Sequence, residues 1–294
     1  MKIKKKISPI SVVVFIVLMV YGLALLYMVF WALMTSLKDV DEYLFGNSLA
    51  LPSKLVWGNY AKVYEKFYVR VMVDKEPLDF NLLSMFGNSV FYAGISALIG
   101  AFVPFLVAYI TAKYNYWWCK VLNSMVIILL ALPIIGGTPS VISMLDRLKL
   151  YDTFFGLYIL KFNFLNVYYL IYYASWLGIP NDYREAASID GASEMRIMLS
   201  VMFPMMVKMF TTVLLIMFVD LWNDYQTPLV YAPSIPVLAR GVYSVARDTS
   251  GGGEIANTPM RMATTMMVLV PVMLVFVAFN KQLMGSISMG GLKE

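Results

Sequence analysis

The side chains that usually carry chemistry are scarce in this chain of 294 residues. The sequence has no histidine and a single cysteine, Cys119. This excludes a histidine general base, a Ser-His triad and metal sites built from histidine or clustered cysteine. The run Gly251-Gly252-Gly253 lacks the lysine and the preceding strand of a phosphate-binding loop. We therefore expect no catalytic residue, no metal, no cofactor and no ATP bound through such a loop.

Two polar features remain as candidates for a functional site. The first is EAASIDGASEMRIMLSVMFP, residues 185–204, which places small residues, charges and a glycine between two apolar stretches. The second is Asp220, an acid within an apolar stretch. An aspartate in hydrocarbon costs about 2.5–3.5 kcal/mol on insertion scales. We therefore expect Asp220 to face a cavity or a partner subunit.

The composition places both features in a membrane protein. Apolar residues make up 60% of the chain and charged residues only 14%, well away from the balance of soluble domains. The net charge of +5 is consistent with basic cytoplasmic edges, and the chain shows no basic patch with interleaved aromatics. We expect a lipid membrane, and no nucleic acid, among its partners.

Six apolar windows are long enough to cross a bilayer, which takes about 20 helical residues. They predict an all-α membrane protein with six transmembrane helices, in a single domain of residues 1–294. The predicted spans are residues 10–33, 86–111, 121–145, 153–177, 207–225 and 260–283. The segment IIGGTP, residues 134–139, predicts a kink in the third span.

Basic residues set the predicted orientation. Four lysines precede the first span, which places the N-terminus in the cytoplasm, and six spans return the C-terminus to the same side. The basic residues between spans two and three and between spans four and five agree with this orientation, whereas Arg147 and Lys149 disagree. Residues 180–204 are therefore predicted to be cytoplasmic.

Residues 180–204 have the pattern of two helices joined by a glycine. After Pro180, Asn181 or Asp182 can cap a short helix, and Gly191 allows the left-handed geometry of a helix end. A second, apolar helix should end near Pro204. The small residues at 186, 187 and 192 would let another protein approach closely. The alternative is a plain connector lying at the membrane face.

The same stretch resembles the EAA loop of ABC importer permeases, because Glu-Ala-Ala is followed after three residues by Gly-Ala and then by an apolar helix with proline. Other stretches resemble landmarks of the maltose-type carbohydrate permeases. They are TSLKD (35–39), WGNY (57–60), NSVFYA (88–93), YDTFFGL (151–157), LWNDYQTPL (221–229) and GGLKE (290–294). The chain is most similar to the second, shorter permease of a heterodimeric pair.

The resemblance implies a type I ABC importer permease fold in a prokaryotic plasma membrane. It also implies a second permease, two ATP-binding subunits and an extracytoplasmic solute-binding protein that delivers a sugar or oligosaccharide. Residues 180–204 would be the coupling loop, with its docking surface on the ATPase formed by Glu185, Ala186, Ala187, Asp190 and Gly191. The alternatives are an ion-coupled secondary transporter, for which only Asp220 supplies an intramembrane carboxylate, and a membrane scaffold.

Asp220, Asn223 and Asn166 are the candidate residues of a substrate path. Asp220 could hydrogen-bond to sugar hydroxyls or form a structural pair, and the sequence leaves both roles open. Asn223 and Asp224 lie nearer the outer interface, where simple solvation is the competing explanation. We expect Lys161 to extend its ammonium outward to the interface.

Overall fold

The computed structural model describes residues 8–73, 76–132, 136–247, 255 and 257–287. The described residues are mostly helical, as predicted. They divide into two units, the described residues of 1–67 with those of 244–270, and the described residues of 68–243 with those of 271–294. The elements up to residue 113 are α1 (Pro9–Ser36), α2 (Val40–Phe45), α3 (Gly58–Lys66), β1 (Tyr68–Val73), β2 (Glu76–Asn81) and α4 (Leu82–Lys113).

The remaining elements include a π-helix between two α-helices. They are α5 (Trp117–Ala131), α6 (Thr138–Arg147), α7 (Phe154–Ile159), α8 (Val167–Leu177), α9 (Asp182–Ile189), α10 (Glu194–Arg196), the π-helix (Ile197–Met202), α11 (Phe203–Trp222), α12 (Gln226–Tyr231), α13 (Leu238–Arg247) and α14 (Thr258–Ile287).

Four helical stretches of the described residues are long and apolar enough to cross a membrane. They are Pro9–Ser36, Leu82–Lys113, Glu194–Trp222 and Thr258–Val275. They contain most of the predicted first, second, fifth and sixth spans.

The predicted third and fourth spans are each formed by two shorter helices. The third divides into α5 and α6, next to the glycines and proline of the expected kink, and residues 134 and 135 of that segment lie outside the described residues. The fourth divides into α7 and α8, and Asn166 caps the start of α8 through its side chain. Short polar and glycine-rich segments thus interrupt both apolar windows.

In the first unit, a buried lysine organises the turn after α1. The Lys38 side chain is buried, and its Nζ donates to the carbonyls of Asn47 and Ser48 at 3.0 and 3.1 Å. Asn59 donates to the carbonyls of Ser36 and Lys38 at 2.9 and 2.8 Å. Residues of the TSLKD and WGNY motifs therefore hold α3 against the end of α1.

The second unit is built around α4, which packs against α8 and α11. Phe105 of α4 is fully buried, and its ring lies 5.1 Å from the rings of Tyr172 and Trp176 on α8 and 5.3 Å from that of Phe210 on α11. Small residues on α4 let the helices approach closely. A Cβ placed on Gly100 would collide with Cε of Met217 on α11.

An antiparallel hairpin, which the sequence analysis did not predict, precedes α4. Arg70 of β1 pairs with Asp79 of β2 through two hydrogen bonds of 2.7 Å. The hydrogen bond from Arg70 lowers the pKa of Asp79. Asn81 ends β2 and caps α4 by accepting from the backbone N–H of Ser84 at 2.9 Å. The hairpin is therefore directly continuous with the central helix.

The segment after α11 is held by hydrogen bonds near the N-terminal end of α4, within the second unit. Asp152, at a left-handed φ of 59°, accepts from the backbone N–H and hydroxyl of Ser234 at 2.8 and 2.5 Å. Asn88 of α4 donates to the carbonyl of Pro236 at 2.9 Å, and Ser89 accepts from the backbone N–H of Leu238 at 2.8 Å. α12 and the start of α13 thus lie at the N-terminal end of α4.

Candidate functional site

The coupling loop, residues 180–204, contains the short helix α9, as predicted. α9 ends at Ile189, and Gly191 follows with a φ of 77°. The backbone N–H of Gly191 donates to Ser188 at 3.0 Å, and that of Ala192 donates to Ala187 at 3.0 Å. These bonds use carbonyls that the helix end would leave unpaired. The left-handed turn at Gly191 therefore defines where the chain leaves α9.

One face of α9 is exposed over its whole length. Tyr183 is 51% exposed and Ile189 is 87% exposed, and Ala186 between them is also exposed. These three residues recur every third position and so share a face of the helix. The exposed face thus presents an apolar stripe in this chain.

The predicted docking residues divide between two faces. Glu185, Ala186, Asp190 and Gly191 are exposed. Ala187 is half-buried and packs against the buried cluster around Phe105. Four of the five residues are accessible to a partner, whereas Ala187 contacts the body of the helical bundle.

Lys113, the last residue of α4, ties the linker before α9 to that helix. Its Nζ donates to the carbonyl of Ile179 at 2.5 Å and to Oδ1 of Asn181 at 3.2 Å. The sequence predicted that Asn181 or Asp182 would cap α9. Asn181 occupies the cap position, but its side chain makes no cap hydrogen bond, because its oxygen accepts from Lys113 instead.

A second tie joins α9, α10 and the end of α4. The Arg184 guanidinium lies 4.7 Å from the centroid of the Tyr114 ring and 3.4 Å from Oε1 of Glu194. The Tyr114 hydroxyl donates to Oε2 of Glu194 at 2.5 Å. Burial and then this hydrogen bond raise the pKa of Tyr114. Arg184, Tyr114 and Glu194 form what we call the polar clamp.

The helix after the coupling loop does not end near Pro204, and this part of the sequence prediction is wrong. Helical structure is continuous from Glu194 to Trp222. The π-helix ends at Met202, and Pro204 is the second residue of α11, so it lies inside this continuous helical stretch. Proline has no backbone N–H to donate, and it stands where the hydrogen bonding changes from the π to the α pattern. The coupling loop therefore leads into the fifth span without a break.

The candidate substrate-path residues lie at the ends of α8 and α11 that are distant from α9. Asp220 is exposed and close to the hydroxyl of Tyr168 on α8. It lies 17 residues after the start of α11, which is about 25 Å along the helix axis. Asn223 donates to the carbonyl of Val219 at 2.8 Å, and Asn166 accepts from the backbone N–H of Tyr169 at 3.2 Å. The two asparagines therefore also have local structural roles.

The sequence analysis missed an ion pair near this end of the bundle. Nζ of Lys161 lies 3.9 Å from Oδ2 of Asp224, and both side chains are about four-fifths buried. The same carboxylate accepts from the Tyr92 hydroxyl at 2.7 Å and from the backbone N–H of Thr227 at 3.0 Å. Lys161 does not extend outward, and Asp224 is not simply solvated, because each is the partner of the other.

Comparison with known proteins identifies the family to which this chain belongs. Residues 104–284, which contain the coupling loop, match the family of binding-protein-dependent transport system inner membrane components. The chain belongs to this family. It is thus a permease of an ABC importer, and the match supports this class over an ion-coupled secondary transporter. ATP hydrolysis takes place on separate subunits, and a solute-binding protein belongs to the transport system.

Named relatives cover nearly the whole permease. It is 25% identical to the diacetylchitobiose uptake system permease NgcG of Streptomyces coelicolor over 93% of this chain and 86% of that protein. It is 23% identical to the arabinooligosaccharides transport permease AraQ of Bacillus subtilis, over 94% and 93%. The melibiose/raffinose/stachyose import permease MelC of B. subtilis is also 23% identical, over 89% of each chain.

A solved structure has the same fold. It is a chain of a bacterial ABC transporter involved in the import of alginate, with a TM-score of 0.75 at 21% identity. The match covers 92% of the permease and 95% of that chain. The predicted type I ABC importer permease fold is confirmed, and the protein is embedded in the membrane.

Proposed function

We propose that this permease imports a sugar or oligosaccharide that a solute-binding protein delivers to its outer face. The relatives NgcG, AraQ and MelC are named for the uptake of oligosaccharides, and each aligns over at least 89% of this chain. The agreement among three relatives that are named for different saccharides supports the class of substrate. It leaves the individual sugar open.

We further propose that the exposed face of α9 docks into a groove of the ATPase subunit. The observation that carries this proposal is the exposure of Ile189 and Tyr183 on α9. The opposite side of this helix is held by the contacts of Ala187 and the polar clamp. Exposed apolar side chains with charged neighbours, here Glu185 and Asp190, are typical of an interaction surface. Gly191 would set the angle at which this surface is presented.

A displacement of α9 by the ATPase would be transmitted to the transmembrane helices by two routes. One is covalent, through α10 and the π-helix into α11. The other passes through Lys113 and the polar clamp to the end of α4. Because α4 and α11 pack closely on each other, both routes would move the same pair of helices. When the ATPases close on ATP, the translocation pathway between the two permeases would then change from open to the inside to open to the outside.

The permease would form half of a pore, paired with a second permease and served by two ATP-binding subunits. We propose that both termini are cytoplasmic. Lys113, Lys120, Arg184 and Arg196 lie at or near the α9 end of the bundle, which supports a cytoplasmic position for that end. The hairpin and α12 would then lie outside, on the side from which the solute-binding protein approaches.

Reconstitution tests the proposed function directly. This permease should be co-expressed with its partner permease, its ATPase and its solute-binding protein. The membrane subunits and the ATPase should then purify as one complex. In proteoliposomes, we expect uptake of a labelled oligosaccharide that requires both ATP and the solute-binding protein. Uptake driven by an ion gradient without ATP would contradict the proposal. ATP-dependent uptake of a different solute class, with saccharides inactive, would refute only the assigned substrate.

Asp220→Asn tests the proposed substrate path. Asparagine occupies the same space and still hydrogen-bonds, and Asp220 is exposed, so assembly and basal ATPase activity should remain near those of the wild type. We expect the apparent affinity or the rate of uptake per assembled complex to change by about tenfold, as for one hydrogen bond to a charged group. Unchanged uptake per complex would show that Asp220 does not line the path. Lys208→Gln, an exposed change on the same helix, is the control.

A further inference from the structure

A polar cavity of about 440 Å³ lies between the end of α4, the start of α5 and the linker before α9. Its polar lining consists mainly of amide, hydroxyl and ammonium groups. They belong to Lys113, Lys120, Asn115, Asn123, Ser124 and Asn181. All residues that line this cavity are described in the structure, and none of them is Asp or Glu. The cavity therefore has two positive charges and no negative charge on its wall.

Lys113 is the buried cation of this cavity. The residue is 6% exposed, and the two groups that accept its hydrogen bonds, the carbonyl of Ile179 and Oδ1 of Asn181, are both neutral. Among the residues that the structure describes, no carboxylate forms an ion pair with Lys113. Such a buried ammonium is unusual, because removing the charge from water is costly. The ammonium has three N–H donors, so one can still donate into the cavity. An anion in the cavity would offset the cost of burying this charge.

The amides of the cavity are oriented by their other contacts. Oδ1 of Asn123 accepts from the Tyr169 hydroxyl at 3.2 Å, and Oδ1 of Asn181 accepts from Lys113 at 3.2 Å. Because each oxygen is directed at its own donor, the groups that these two amides offer to a ligand are their NH₂ donors. Lys120 is exposed and Ser124 lies one helical turn further along α5. The wall therefore offers mainly hydrogen-bond donors, from three segments of chain.

We propose that this cavity binds a phosphate group, as a phospholipid headgroup or as a phosphate in solution. A phosphate has several strong acceptor oxygens and can use more of these donors than a carboxylate can. Trp117 and Trp118, at the start of α5, are exposed aromatics of the kind that lie at the membrane–water interface. The cavity is thus at the depth where headgroup phosphates and soluble phosphates are both accessible.

Occupancy of the cavity would affect the root of the coupling loop. The bound group would contact Lys113 and Asn181, which fix the linker before α9, and Lys120 on α5. It would therefore hold α5 to α4 and to that linker. This inference does not depend on the transported substrate or on how α9 docks.

Lys120→Gln is the variant that tests the site, with Lys208→Gln as the matched control. Both lysines are exposed and are predicted to be cytoplasmic, but Lys208 is not among the residues that line the cavity. The purified complex is heated in detergent with increasing inorganic phosphate, at an ionic strength kept constant with sodium chloride. We expect phosphate to raise the melting temperature of the wild type and the control. Lys120→Gln should need about tenfold more phosphate, because it loses one charge-assisted hydrogen bond.

A second arm of the experiment identifies the source of the phosphate. The complexes are placed in nanodiscs of phosphatidylcholine with or without phosphatidylglycerol, and retained lipid is counted by native mass spectrometry. Stronger retention of phosphatidylglycerol by the wild type than by Lys120→Gln supports a headgroup site. An effect of inorganic phosphate alone supports a soluble ligand. If neither phosphate nor phosphatidylglycerol distinguishes Lys120→Gln from Lys208→Gln, the proposal is wrong.

Discussion

Gly191→Val should separate ATP hydrolysis from uptake. Gly191 has a φ of 77°, in a region where a β-branched residue is strained by about 1–3 kcal/mol. The turn would relax into another geometry, and the exposed face of α9 would meet the ATPase at a different angle. We expect uptake per assembled complex to fall by about tenfold or more, equivalent to at least ~1.4 kcal/mol. Membrane insertion should persist, because no heavy atom lies within 4 Å of a Cβ placed at Gly191.

The matched control is Gly191→Asn. Asparagine fills the same open space but tolerates the left-handed region far better than valine does. We expect this variant to retain most of its uptake, with a ratio of transport to hydrolysis close to that of the wild type. Both quantities are measured on the same proteoliposomes. Equal uptake by the valine variant and the wild type would mean that this turn does not set the docking geometry.

Asp224→Ala should reduce the stability of the permease more than any other single change in the Lys161–Asp224 pair. The substitution leaves the largely buried ammonium of Lys161 without its carboxylate, and it removes the acceptor of the buried Tyr92 hydroxyl. Leaving such groups unpaired costs about 1–3 kcal/mol each in general. Because one-fifth of each charged side chain remains exposed, we expect a total near the lower part of that range. The measurement is the thermal unfolding of the purified complex.

The double variant Lys161→Met/Asp224→Ala provides the control. Removing the cation as well removes the stranded charge, so part of the lost stability should return. Lys161→Met alone should be milder, since Asp224 retains its hydrogen bonds from Tyr92 and Thr227. If all three variants are as stable as the wild type, the pair has no structural role.

Features fixed by neighbouring residues were predictable from the sequence. α9 and the turn at Gly191 depend on a few adjacent residues, and both were predicted. The apolar windows predicted the long helices because a run of apolar residues is also a local feature of the sequence. Asn88 and Asp152 were noted only as parts of motifs, yet they fix the segment after α11 to the rest of its unit.

Features that depend on distant residues were not predictable. Lys161 and Asp224 are 63 positions apart, and only the packing of the bundle brings them together. The Asn181 side chain accepts from Lys113, 68 residues earlier, instead of capping its own helix. The hairpin was missed because Pro77 and several charged residues obscure the alternation of its strands, and β1 buries only Val69 and Val71. Pro204 was interpreted as the end of a helix because the π-helix before it has no local sequence signature.

The exposed stripe of α9 also bears on the life of the chain before it joins a complex. An isoleucine that is 87% exposed, on what we propose is the cytoplasmic face, resembles the surface of an unfolded protein to the cell's chaperones and proteases. A permease made in excess of its ATPase would display this stripe, whereas an assembled one would cover it. The helix that docks into the ATPase would therefore also mark unassembled permease subunits for degradation. The abundance of the permease would then follow that of the ATPase.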